Sequence, residues 1–203
     1  MNKPVDIPGI RIITVSGRIA TGATTLAQKI ADNLGWSFWE GGALVDKFYK
    51  EKLHGNEVDV NLRPDSHELW FDEKLKEMIR NDKHAVIQSH LAGFFAQDVP
   101  EVYKICVICE EDGIDKQDVR IDRLVNRKNI SVEDAKHDVR EREAGNLAKW
   151  SRLYVNSDPD WVYWDKKYYD LMVNSFSHNQ EESLELVLGT IGAKEHTHYE
   201  KAE

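Results

Sequence analysis

"TVSGRIATGATTLAQKI", residues 14–30, decides how the rest of the chain is read. It continues a short β-branched run, "RIITVS" at 11–16, and leads into a segment where Leu26, Ile30 and Leu34 recur at helical spacing. Strand, glycine-rich turn and helix in that order bring backbone N–H groups and the positive end of a helix dipole toward one anion. Gly17 and Gly22 permit the sharp turn, and Thr24 places a hydroxyl at the start of the helix. Gly17 to Thr24 match the phosphate-cradling pattern G-x-x-x-x-G-K-[ST] at every fixed position but one. Ala23 stands where that pattern has its lysine.

Working outward, Gly35 follows Leu34 as a helix-ending glycine, and "WSFWE" (36–40) reads as a second strand. Gly41 and Gly42 open a helical segment to about Leu53, and "LHGNEVDVNLRP" (53–64) is a polar connection. Asp65 with Glu68 marks a helix start, carrying an apolar stripe of Phe71, Leu75, Met78 and Ile79. "HAVIQS" (84–89) and "YKICVICE" (103–110) are continuous apolar strands, as in a parallel sheet covered on both faces. Helices are expected over 115–128, from "SVED" (131–134) to about Tyr154, and over 179–192; "YYDLMVNS" (168–175) is the last strand and 193–203 a loose tail. Alternating strands and helices specify one α/β domain, a parallel sheet of about five strands between helical layers. Such sheets bind ligands beyond the carboxyl ends of their strands, where the first glycine loop falls.

The chain has 203 residues, 41% of them hydrophobic and 31% charged, the composition of an ordinary globular domain. Its net charge of -9 excludes a general nucleic-acid binder, so a phosphate site must be a local basic pocket on an acidic surface. No apolar run approaches the roughly 18 residues of a membrane span, and the N-terminus lacks a signal-peptide pattern, so a cytoplasmic protein is expected. Cys106 and Cys109 spell C-x-x-C, but on a strand they point to opposite faces and no second pair completes a zinc site. They are expected as buried thiols. Arg120, Arg123 and Arg127 form one helical stripe, and Arg140, Arg142, Lys149 and Arg152 follow. This is the densest positive charge available for phosphates; its plain alternative is a solvated helix laced with ion pairs. Trp150, Trp161 and Trp164 are expected in the core rather than as base-stacking platforms.

Five segments in order, "ITVSGRIATGATTLAQKIADNLGW", "WEGGALVDKFYKE", "DEKLKEMIRNDKHAVIQSHLAGFFA", "VRIDRLVNRKNISVEDAKHDVRERE" and "YYDLMVNS", carry a resemblance. From about residue 10 to 192 the chain resembles the cytidylate kinase-like branch of the nucleoside monophosphate kinases, in its shorter archaeal-type form. The resemblance implies a P-loop kinase fold with a monophosphate-binding insertion at about 41–82 and an arginine-bearing lid near 128–155. It also implies transfer of the γ-phosphoryl of ATP to CMP or a related monophosphate with Mg2+. The implied partners are small nucleotides, without nucleic acid or membrane, for a monomer or homodimer. By position, Gly17, Arg18, Thr21, Gly22, Ala23, Thr24 and Thr25 would hold the donor phosphates, and Thr24 also the metal ion. Gly42, Asp46, Ser89, His90 and Gly93 would border the acceptor. Arg123, Arg140 and Arg142 would contact the phosphates or stack near the donor base, and Arg18 or a lid arginine would replace the charge of the missing lysine. The chain departs from the family pattern at Ala20, where glycine is common, at Gln88 in place of an acid, and at His90 in place of an arginine. Two readings remain open: an active kinase with a relocated cation, and a nucleotide-binding pseudokinase that acts as a sensor or partner subunit.

Overall fold

A computed structural model describes residues 3–52 and 63–193. In chain order the elements are β1 (Ile12–Gly17), α1 (Ala23–Leu34), β2 (Ser37–Glu40), α2 (Gly41–Lys52), α3 (Asp65–Asn81), β3 (Ala85–Gln88), α4 (Ala92–Phe95) and β4 (Val102–Ile108). Then come β5 (Glu110–Glu111), β6 (Ile114–Asp115), α5 (Gln117–Lys128), α6 (Val132–His137), α7 (Glu143–Tyr154), β7 (Leu171–Asn174) and α8 (Gln180–Thr190).

Every residue of β1 is buried, which fits its uninterrupted apolar and small-polar sequence and places it at the centre of the sheet. The main sheet is parallel throughout, in the order β2-β3-β1-β4-β7, with β1 hydrogen-bonded to β3 on one side and β4 on the other. Alternate residues of β1 serve the two faces. Ile13 and Val15 meet Leu26, Ala27 and Ile30 of α1 and Val187 of α8, whereas Ile12 meets Leu75 and Ile79 of α3 and Ala92 of α4. Each fully buried Leu or Ile is worth roughly 1.5–3 kcal/mol in transfer free energy, so these two faces hold the three layers together. α1 ends where Gly35 turns left-handed at φ 63, a conformation that glycine takes without steric cost.

The expected three-layer arrangement around five parallel strands is therefore the one observed. Two details differ from the sequence reading. The segment from 131 to 154 is not one regular helix: a π-helical turn at Asp138–Arg142 separates α6 from α7. The turn keeps Val139 in a cluster with Ile121, Leu124 and Ala135 while Arg142 faces the site described below; such insertions shift the phase of one helix face without breaking it. Second, β5 and β6 form a small antiparallel hairpin between β4 and α5. Two-residue strands carry no periodicity, but Asp112 and Gly113 at φ 52 and 77 are the Asp-Gly signal for such a turn. The polar connection at 53–62 and the tail at 194–203 lie outside the described residues.

α4 is seated on β1 through Gly93, whose N–H donates to Ser16 Oγ at 3.0 Å. A Cβ on Gly93 would overlap the ring of Tyr169, which packs over it. Gly93→Ala is expected to destabilise the domain by about 1–3 kcal/mol through overpacking, measured by urea denaturation. Unchanged stability would show that Tyr169 moves aside freely.

Candidate functional site

The glycine loop closes tightly on itself. Thr21, fully buried, donates its hydroxyl to the Arg18 carbonyl at 2.9 Å. A Cβ on Gly17 would come within 2.9 Å of both Ala23 Cβ and the Val107 carbonyl, so only glycine fits there. Gly22 takes φ 96, and Ala20 takes φ 61, a left-handed conformation that explains why glycine is the common choice at that position. No side chain caps α1, and its first turn has no acid. The N–H groups of a twelve-residue helix thus remain open to an external anion beside the positive end of its dipole.

Glu143, the first residue of α7, fixes this loop from above. Its carboxylate accepts from Arg18 Nη2 at 2.5 Å, from the Ile19 N–H at 3.1 Å and from Arg120 Nη1 at 2.8 Å. Arg120 is 0% exposed, and also donates to the Ile19 carbonyl and to Asp115. Burial pushes the Glu143 carboxyl up, but Arg120 and Arg18 outweigh it and hold the group below its ordinary range. Ile19 and Ala20 pack into the cluster of Ile121, Leu124, Ala135 and Val139. The glycine loop, α5, α6 and the start of α7 are thereby one packed unit.

A cavity of about 590 Å3 opens between this unit and the helices beyond β2 and β3. Seven basic and three acidic side chains line it, which gives the acidic chain the local basic pocket its composition required. Of the residues carried over from the sequence, Gly17, Arg18, Gly22, Ala23, Thr24, Gly42, Ser89, His90 and Arg142 line this cavity. Thr21 lies behind the loop, and Thr25, Asp46 and Gly93 do not line the cavity. Arg140, exposed, donates from Nε to Gln117 at 3.2 Å, outside the cavity wall. Arg123 sits at the far edge of the sheet, donating to Ser175 Oγ at 2.8 Å and its carbonyl at 2.7 Å. Arg18 has its guanidinium between Glu143, Asp115 at 3.2 Å and the face of Trp164 at 4.3 Å.

Two groups in the cavity have unusual protonation. His90 donates Nδ1–H to the Gly17 carbonyl at 2.7 Å, packed between Trp150 and Tyr163. Burial lowers its pKa, so the ring is neutral at pH 7 and offers only the lone pair of Nε2. Asp72 accepts from the Tyr154 hydroxyl, and burial raises its carboxyl to about 7. Next to it, Glu68 binds Arg63 Nη1 and Trp150 Nε1, both at 2.9 Å. Trp150 and Trp161 are core, as expected, whereas Trp164 is only partly buried against that cluster and carries Arg18 on its face; both cysteines are buried, with Cys106 raised to about 12. The described residues contain no cluster of three potential metal ligands and no helix long and apolar enough to cross a membrane.

Residues 12–177 match the profile of the cytidylate kinase-like family. The chain belongs to that family. The cytidylate kinase of Haloarcula marismortui, a relative, is 28% identical over 182 residues, covering 89% of this chain and 88% of its own. The cytidylate kinase of Methanosarcina barkeri is 28% identical over 178 residues, covering 86% of this chain and 93% of its own. Among solved structures, an uncharacterized protein from Eubacterium ventriosum superimposes with a TM-score of 0.65 at 14% identity, covering 91% of this chain and 99% of that one. A shikimate kinase from Bacteroides thetaiotaomicron does so with a TM-score of 0.56 at 15% identity, covering 90% and 98%. At such identities the likeness is one of fold, that of the P-loop kinases.

Glu143 and Asn146 were not singled out from the sequence, since nothing in "EREAGN" marks which charge is buried. Asn146 is 2% exposed, lines the cavity, and has no hydrogen-bond partner for Oδ1. Glu40 also lines it, and its place at the end of a strand was the available signal.

Glu143→Gln would leave the buried Arg120 facing only Asp115 as a charged partner, and is expected to cost about 3 kcal/mol in thermal or urea unfolding. Because the native Glu143 pKa is depressed, its contribution is present above the ordinary value of 4.5 and is lost as pH falls through the native pKa. Asp72 has the opposite sign. Raised from 3.8 to about 7, it makes the native state bind the extra proton, so its ionisation lowers stability as pH rises across that window. Asp72→Asn should gain stability relative to the parent between these pH values and keep a constant advantage above them; a pH-independent difference in unfolding free energy would contradict this.

Proposed function

We propose that this chain is an ATP-dependent nucleoside monophosphate kinase that transfers the γ-phosphoryl of ATP to CMP or a related monophosphate. The observation that carries the reading is the basic cavity: an open helix N-terminus and glycine loop on one wall, and a second wall from α2, α3 and the end of β3. The donor set suits a triphosphate, because it consists of backbone N–H groups, the Thr24 hydroxyl and cationic side chains. Mg2+ would neutralise the β- and γ-phosphates when bound with the nucleotide, and Thr24, which lines the cavity, would hold it.

Phosphoryl transfer needs positioning and positive charge more than covalent help from the protein. With Ala23 in the loop, that charge comes from elsewhere on the cavity wall. Arg18 is already balanced by Glu143 and Asp115, so in this reading it positions the loop. Arg142, Arg127 and Lys128 supply the field at the transferring group. Of these, Arg127 has no hydrogen-bond or ion-pair partner among the described residues, while Lys128 pairs with Asp138 at 3.2 Å. Asn146 and the α3 side chains face the acceptor. The second reading, a nucleotide-binding pseudokinase, draws on the same Arg18 geometry together with neutral His90.

ADP release over a panel of nucleoside monophosphates tests the proposal. Turnover is expected with CMP or a close analogue, and Arg142→Ala should lower kcat by about a hundredfold. Ala23→Lys should raise kcat by about tenfold, as one added cation at the developing charge. ATP binding without turnover on any acceptor would transfer the case to the pseudokinase.

A further inference from the structure

Neutral Gln88 ends β3, where the family pattern has an acid, and Glu40 lies directly beside it. The two are register partners across β2 and β3. Two residues earlier, Phe38 and Val86 both pack into the core beneath α1, so strand alternation puts Glu40 and Gln88 on that same face. Thr24 lies in the first turn of α1, and all three residues line the cavity. The strand ends are close: a Cβ on Gly41 would lie 3.1 Å from Ser89 Cβ and 3.3 Å from the Gln88 carbonyl.

Glu40 is also the uncommitted acid of the cavity. Glu68 is bound to Arg63 and Trp150, and Asp72 accepts from Tyr154. Glu40 has no hydrogen bond or ion pair among the described residues and is half-buried at the cavity wall. An unpaired carboxylate beside a helix terminus open to phosphates repels them unless a cation lies between. Mg2+ suits that gap, since it keeps several waters and takes one or two carboxylates together with phosphate oxygens.

We propose that Glu40 is the carboxylate that anchors, directly or through a bound water, the divalent cation accompanying the nucleotide phosphates. The inference rests on the nucleotide-binding reading above, and calorimetric titration of the full chain with ATP, in EDTA and in Mg2+, separates the two. The parent protein should bind ATP more tightly with Mg2+. Glu40→Gln should bind metal-free ATP at least as well as the parent, because one negative charge is gone, yet lose about tenfold of the Mg2+ enhancement. Adding Gln88→Glu to that variant should recover it. A Glu40→Gln protein with the parent's full Mg2+ enhancement overturns the assignment, as does a parent that binds ATP without any Mg2+ effect. Equal weakening in both conditions with a lowered Tm marks a structural role and overturns it too. A parent that binds no ATP in either condition overturns the nucleotide-binding reading itself.

Discussion

One buried carboxylate, that of Glu143, sets the form of the functional end of the molecule. It neutralises Arg120, which has no access to water, and it closes on Arg18 and the Ile19 N–H of the glycine loop. Removing two guanidinium groups from solvent is costly unless the pairing is geometrically good and the remaining donors are met. Both terminal nitrogens of Arg120 are met, by Glu143, the Ile19 carbonyl and Asp115, and only its buried Nε has no partner, so the residue that resembled a phosphate ligand in sequence is structural. The loop conformation, the start of α7 and the hairpin carrying Asp115 are therefore solved together rather than separately.

That arrangement changes how the missing lysine is understood. In the sequence, Arg18 beside Ala23 suggests a local exchange of one cation for another. In the structure, Arg18 lies under Trp164 with two carboxylates against it, and the positive lining of the cavity is drawn from α2, α3, α5 and the π-helical turn. Electrostatic work is spread over a wall instead of being concentrated at the head of one helix. Under the proposed function, such a field would meet donor and acceptor phosphates alike.

The sheet, its flanking layers and the glycine loop were legible because each rests on local pattern: β-branched runs, helical spacing of Leu26, Ile30 and Leu34, and two glycines at fixed offsets. The location of Gly17, Gly22, Ala23 and Thr24 on the cavity wall follows from that pattern. Arg120 and Arg123 were not separable from Arg127 in the sequence, since a helical stripe does not say which residue meets the core of a neighbouring segment. Only the packing of α5 against α6 and the loop buries Arg120, turns Arg123 to Ser175 and leaves Arg127 on the cavity. Asp72 was invisible for the same reason, because its raised carboxyl comes from burial in the folded chain, against the opposing hydrogen bond from Tyr154. The hairpin at Asp112–Gly113, by contrast, had a readable signal in its dipeptide.

The shared carboxylate of Glu143 also has an evolutionary consequence. A glycine loop and a helix start that hold one ion-pair network cannot drift independently: a change at Arg18 alters the surroundings of Arg120 a hundred residues away in the chain. Divergence at this end of the fold is then expected in linked sets of substitutions, and a lysine-bearing loop grafted here would arrive without the α7 start to which it was matched. Ala23 is in that sense the property of the whole assembly rather than of one position.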